Sequence, residues 1–423
     1  MHTRFIAAFA FAAALVSTGA SAAAGYTDAY DFCPHKNCAD GANPWGPPVS
    51  DGAGNWFGNT TAGGDNKQGT IYELSQSGKH WTYTPLYSFC AEKKCADGAL
   101  AQGSLIIDTS GNLYGAAANG GHNNSGVIYE LVKSGGSWTY KVLYTFCRHA
   151  GCPDGGEPYD VTLTYAGAAS GLAYDGTSTL YGTTYLGGAA NGVVFSLKPS
   201  GGSWKETVLH VFCRKTNCTD GGSPNNGVMV DGSGNLFGAL AGGGKYGYGA
   251  LYELQPDGTY TILHSFCAAQ NTFCSDGLEP TGVPVADGQG NLYGITHMGG
   301  ANNAGTAFEL VRTGAKPKLV TLHTFCSETN CPDGQLPFAT LAMDAAGDLL
   351  GTTVFGGDTD QGTIFKLSGT AHKTFDVVLS FGDAATPGGF SSGGLAPDSS
   401  GAFFGNTDQG GANSQGVFYK LTP

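Results

Sequence analysis

The chain has 423 residues, of which 70 are glycine and only 13% are charged, with a formal net charge of −13. This much glycine excludes a mainly helical protein, and this little charge excludes a disordered acidic tail. A negative surface repels phosphate, so nucleic acid and anionic membranes are excluded as partners while neutral or cationic ones stay open.

Arg4 precedes the apolar run FIAAFAFAAALVS (5–17), which leads to Ala20-Ser21-Ala22. A charged start, a short apolar core and a small-x-small end predict a secretory signal peptide over 1–22, cut after Ala22. The run is short for a bilayer span, so no membrane insertion is expected. There is no cysteine at the cleavage point for a lipid, and the last residues, GVFYKLTP, carry no hydrophobic tail. A secreted or periplasmic protein is expected.

Next comes FCPHKNCADG at 32, the first of six related phrases. The cysteines fall in close pairs: Cys33 and Cys38, Cys90 and Cys95, Cys147 and Cys152, Cys213 and Cys218, Cys267 and Cys274, Cys326 and Cys331. Zinc and iron–sulfur sites favour tighter Cys-x2-Cys hooks and a reducing compartment. In an exported chain such pairs read as disulfides, each closing a small loop.

A second phrase runs through the chain. GNWFG (54–58) returns as GNLYG (111–115), TLYG (179–182), GNLFG (234–238), GNLYG (290–294), GDLLG (347–351) and GAFFG (401–405). The closing glycines recur about every 57 residues, with one longer interval in the third unit. Each phrase is followed by a glycine pair and a strand-like run such as GVIYEL (126–131), in which Val127, Tyr129 and Leu131 share a face by period two. The fourth unit shows four strand candidates: GVMVD (227–231), LFGAL (236–240), ALYEL (250–254) and YTILHSFC (260–267). Asp-Gly and Gly-Asn supply the turns.

Seven four-stranded units of this size predict an all-β, seven-bladed β-propeller over 23–423, rather than a β-helix or two sandwiches. The seventh unit stops at GVFYKLTP without a fourth strand, while AYDFC (29–33) matches LYSFC (86–90). The N-terminal strand is expected to complete the last blade and close the ring, removing free sheet edges.

The layout is kelch-like. More closely, the unit resembles the GloVer (Gloeo-Verruco) tandem repeat of exported bacterial proteins. The residues carrying the likeness are Asp231 to Gly238, the pair Gly242-Gly243, and Leu263 to Phe266. The resemblance implies export and surface display, and no particular chemistry.

Four-stranded blades place the Cys loops and the glycine-pair loops on one face, where binding is expected. Single departures between units are the candidates there: Tyr185, His297 and Asp408 after the second strand, His122, Lys245, Tyr246 and Tyr248 in the glycine-pair loops, and Trp45 in the first inter-blade loop. The third unit adds about ten residues around EPYDVTLTYAGAASG (157–171). Aromatic rings with hydrogen-bonding neighbours suit a sugar, so an extracellular glycan or a surface protein is the expected partner of a monomer.

No HExxH or Walker motif occurs, and with no helical period the chain offers no strand–turn–helix context for a GxSxG elbow or a dinucleotide fingerprint. If there is catalysis, His297, Asp408 and Tyr185 are its candidates, in a polysaccharide lyase or glycosidase. A purely structural surface protein is the third reading. No cofactor or metal is expected. Calcium is the one ion that the Asp-Gly-x-Gly-Asn oxygens suit, and hairpin turns account for the same residues. The Asp after each second cysteine is expected to cap a turn. His210, His264 and His323 share a register with Tyr30, Tyr87 and Tyr144, which reads as packing.

Overall fold

Asp-Gly-x-Gly-Asn makes tight hairpins because one carboxylate satisfies the whole turn. Asp51 Oδ1 accepts from the amides of Ala53 and Asn55 at 2.8 and 3.1 Å, and its Oδ2 accepts from the Asn55 side chain at 2.6 Å. Asp108, Asp231 and Asp287 repeat the arrangement. The signature Asp thus serves its own turn. The computed structural model describes residues 25–188, 191–268, 274–314 and 316–422. The signal-peptide reading falls on residues outside these.

These hairpins join antiparallel strands into seven blades around an axis. Blade 1 is Ala42–Ser50, Asn55–Ala62, Thr70–Ser77 and His80–Ser88, innermost strand first. Blades 2 to 6 follow over 99–145, 164–211, 229–265, 278–324 and 335–380. In blade 4 the inner strand is only Met229–Val230, while Leu236–Leu240 and Ala250–Leu254 match the expected strands. Phe266 and Cys267 leave the outer strand, Tyr260–Ser265, to start the next loop.

Blade 7 is built from both chain ends. Leu395–Pro397, Phe403–Thr407 and Val417–Thr422 are completed by Gly25–Asp31, which pairs antiparallel from Gly25 opposite Thr422 to Asp31 opposite Val417. The ring is closed as the sequence predicts.

Apolar residues fill the gaps between blades rather than one central core. Seven buried clusters form among the described residues, each shared by two neighbouring blades. Both faces of a blade are therefore covered. Ile128 is buried alongside Val127, Tyr129 and Leu131, which a one-face reading of that strand misses. The glycine of GNLYG lets an aromatic from the next strand lie flat: a Cβ on Gly58 would come within 2.4 Å of the Tyr72 hydroxyl.

Six inter-blade loops carry disulfides, each joining the two cysteines of one close pair. Both cysteines of each pair have left-handed backbone, with φ between 46° and 64°. The second cysteine turns its carbonyl to two amides. Cys218 O accepts from Gly221 at 2.7 Å and from Gly244, in the glycine-pair loop, at 2.9 Å. The staple thus holds two loops of one face together. The following Asp caps the loop, as Asp220 does with the amides of Arg214 and Lys215 at 2.8 and 3.1 Å.

The Tyr/His register packs against the next blade: His210 stacks on Tyr260 at 3.9 Å and Tyr87 on Tyr140 at 3.9 Å. Most of its members also bond the capping Asp, as Tyr87 does to Asp97 at 2.6 Å and His323 to Asp333 at 3.0 Å. The loop entering blade 7 has no cysteines. There Asp383 Oδ1 accepts from the amides of Ala385 and Thr386 at 2.8 and 2.7 Å, and Gly382 N donates to Thr386 O at 2.7 Å.

Candidate binding site on the propeller axis

Each innermost strand enters from the stapled face through a residue with left-handed backbone: Asn43, Leu100, Glu157, Ser223, Glu279, Leu336 and Phe390, with φ between 52° and 57°. Two residues later every blade presents a side chain around the axial mouth: Trp45, Gln102, Tyr159, Asn225, Thr281, Phe338 and Ser392. All seven differ. One step deeper the ring reads Gly46, Gly103, Asp160, Asn226, Gly282, Ala339 and Gly393. Here backbones nearly touch: a Cβ on Gly46 would lie 2.7 Å from Gly103, and one on Gly103 2.5 Å from Val161 O.

Asp160 breaks this pattern. Its φ is 50°, where Gly46, Gly103 and Gly282 adopt 76°, 84° and 74°. Its residue is 8% exposed. Oδ1 accepts from Trp45 Nε1 at 2.8 Å and Oδ2 from Asn226 Nδ2 at 2.8 Å. Asn226 Oδ1 accepts in turn from the Gly282 amide at 2.7 Å and Thr281 Oγ1 at 3.1 Å. Blades 1, 3, 4 and 5 are thereby linked around one carboxylate. Both of its donors are neutral, and it takes part in none of the ion pairs among the described residues. Burial pushes its carboxyl up to about 7, against the two hydrogen bonds that favour the anion.

Asp408 follows the second strand of blade 7. Its Oδ2 accepts from Ser392 Oγ, and its Oδ1 is buried without a partner. Burial, with the Asp160 charge adding to it, raises this carboxyl to about 8.

Four of the sequence candidates converge on this mouth. Trp45 meets Phe338 edge to face at 6.1 Å, and His297 meets the other side of the pattern, 5.6 Å from the same Phe338 ring. Tyr185, 37% exposed, lies 6.2 Å from Tyr159. Asp408 and His297 are not paired with each other: His297 Nδ1 bonds Pro337 O at 3.3 Å, and Asp408 bonds Ser392. The others stay in their own loops. His122 Nδ1 bonds Cys147 O at 2.7 Å, and Lys245 Nζ lies over the Tyr246 ring at 5.1 Å. Tyr248 is exposed.

Sequence reading missed Asp160, Asn226, Tyr159 and Phe338. Their signal is the position after Gly-x-x-Pro, or its equivalent, which differs in all seven units, and the next, where Asp160 and Asn226 replace a recurring glycine.

On the far side of the Gly46–Asp160 level the inner strands part to enclose a cavity of about 360 Å³. Asp160, Asn226 and Ser392 line its inner end, Ile106, Leu163, Val228, Met229 and Val285 its wall. Tyr165, Ala168 and Ala169 line it from the extra residues of blade 3. A short 3-10 turn, Ala168–Ser170, shapes that insertion. Along the strands these outer residues lie toward the hairpin face, away from the staples.

The model of the Gloeobacter/Verrucomicrobia repeat matches residues 18–179 and 268–423, well over half of the sequence. The chain belongs to this family. No curated protein matches the sequence. Among solved structures, a protein described as a gluconolactonase is similar at 14% identity, with 95% of this chain and 93% of that one covered and a TM-score of 0.43. A protein of unknown function from Dyadobacter fermentans is similar at 13% identity, with 94% and 99% covered and a TM-score of 0.43. The Trypanosoma rangeli sialidase in complex with sialic acid is similar at 11% identity, with 95% and 59% covered and a TM-score of 0.40. No helix among the described residues is long and apolar enough to cross a membrane.

Proposed function

We propose that this member of the repeat family is an exported binding protein that holds a glycan end at the axial mouth of its stapled face. The observation that carries the reading is the ring of seven unlike residues there, one step above a level where glycine recurs in four blades. Trp45, Phe338 and Tyr185 offer aromatic faces to a sugar ring, and His297 and Tyr159 offer hydrogen bonds. Six disulfides support an oxidising compartment, in keeping with secretion to the periplasm or beyond. The reading takes residues 23–423 as one monomeric domain.

A second reading, a glycosidase or polysaccharide lyase, draws on one observation. Asp408, raised to about 8, would carry a proton at neutral pH beside Ser392 and near Asp160. A protonated carboxyl is what a general acid needs.

Affinity electrophoresis through gels cast with different polysaccharides separates these readings. Retardation without clearing, lost in Tyr185→Ala and His297→Ala, supports the binder. Clearing that disappears in Asp408→Asn supports the enzyme. Migration unchanged on every polymer rejects both and leaves a structural or protein-binding surface.

A further inference from the structure

The axial cavity on the hairpin face meets the mouth at Asp160 and Ser392, but its apolar wall comes from the opposite half of the inner strands and serves neither reading. We infer that this cavity binds a small, mainly apolar molecule bearing one cationic amine, which the Asp160 carboxylate receives at the inner end.

The wall sets the body of the ligand. Leu163, Val228, Met229 and Val285 give an apolar surface, and about 360 Å³ is at the small end of the range for such sites. The inner end sets the head group. Asp160 is buried, and its hydrogen bonds come from an indole and an amide, so nothing in the protein offsets its charge. Each carboxylate oxygen accepts one bond and has a lone pair left for another. A buried unpaired carboxylate is costly, and an ammonium placed beside it removes that cost. The fold does not ask for Asp here, because three other blades fill the same left-handed position with glycine.

The mouth points the same way. The one unit with extra residues sends them to this cavity, where Tyr165, Ala168 and Ala169 form one edge. A ligand entering from the hairpin face passes this insertion and reaches Asp160 with its head group first. Among the described residues that line the cavity Asp160 is the only charged one, so no basic side chain competes for it.

The test is isothermal titration calorimetry of the folded protein with phenethylamine and with its neutral isostere phenethyl alcohol, at pH ~8, where Asp160 is ionised. The amine is expected to bind at least roughly tenfold more tightly than the alcohol. Met229→Trp, which fills the cavity, should abolish binding of both. Asp160→Asn should bring the two ligands to within about twofold. Tyr185→Ala, on the stapled face, should change neither, so a failed glycan reading leaves this result standing. Absence of amine binding up to millimolar concentration, equal affinity for amine and alcohol, or binding that survives Met229→Trp would each overturn the inference. The wild-type comparison and Met229→Trp decide it even where Asp160→Asn does not fold.

Discussion

The Trp45 indole N–H, on the inner strand of blade 1, donates to Asp160 Oδ1 of blade 3 at 2.8 Å and so passes over blade 2. Trp45→Phe keeps a ring against Phe338 and deletes the donor to a buried acid. A loss of about 1–3 kcal/mol is expected in denaturant unfolding. The Asp160 carboxyl should also move further upward, readable by carbon-detected NMR titration.

The buried acids set a pH dependence. Asp28 at about 6, Asp160 and Glu206 at about 7, and Asp408 at about 8 all lie above their ordinary values, chiefly through burial. The folded state therefore keeps protons that the unfolded chain has released. Their contribution is full below the unfolded value, near pH ~4, and is lost as pH rises through the folded values. Asp276 and Asp333 shift downward through hydrogen bonds from His264 and His323 among others, against the opposing effect of burial, so their contribution is lost only in stronger acid. Melting temperature should peak in mild acid and decline toward pH ~8, with a shallower decline in Asp408→Asn. A flat profile across this range would contradict the burial of these carboxyls.

Replacing Cys213 and Cys218 together by serine should cost about 2 kcal/mol, the loop-closure entropy of so short a ring. Asp220 still caps the loop, so the fold should survive. Because Cys218 O holds both Gly221 and Gly244, hydrogen exchange should quicken at both amides. Quickening at Gly221 alone would show that the staple does not organise the glycine-pair loop.

Tyr26 anchors the closing strand by stacking on Tyr419 at 5.6 Å and meeting Phe381 at 6.4 Å. Tyr26→Ala should destabilise by about 3 kcal/mol, in the range of large-to-small changes at well-packed aromatics. Removing the strand through Asp31 exposes the edge of Val417–Thr422 and should cause association, visible by light scattering. A synthetic peptide of residues 25–32 should suppress it.

Most of the architecture was written in the repeats. Turn chemistry at Asp231 to Gly238, cysteine spacing and the match of AYDFC to LYSFC are local signals, and local signals survive in a sequence. The site was only partly legible. Trp45, Tyr185, His297 and Asp408 stood out because they break a repeat. Asp160 did not, because the insertion around it blurs the alignment of the third unit. Its importance also depends on which strand faces the axis, a three-dimensional fact. How far His297 lies from Asp408 is hidden for the same reason: the position of each blade in the ring sets the distance between them.

The loop into blade 7, Gly382–Thr386, relies on the Asp383 carboxylate where six other junctions have a disulfide. Blade 7 is also the blade in which the two chain ends meet, through a strand ladder and the Tyr26–Tyr419 stack and no covalent bond. The rest of the ring is a riveted strip, and blade 7 is its buckle. Heat, tension or a protease should therefore find the same breaking point, and the first partly open form should be a six-bladed arc with blade 7 undone. A reductant weakens the arc and spares the buckle, whereas strong acid, by protonating Asp383, loosens the buckle and leaves the disulfides of the arc intact.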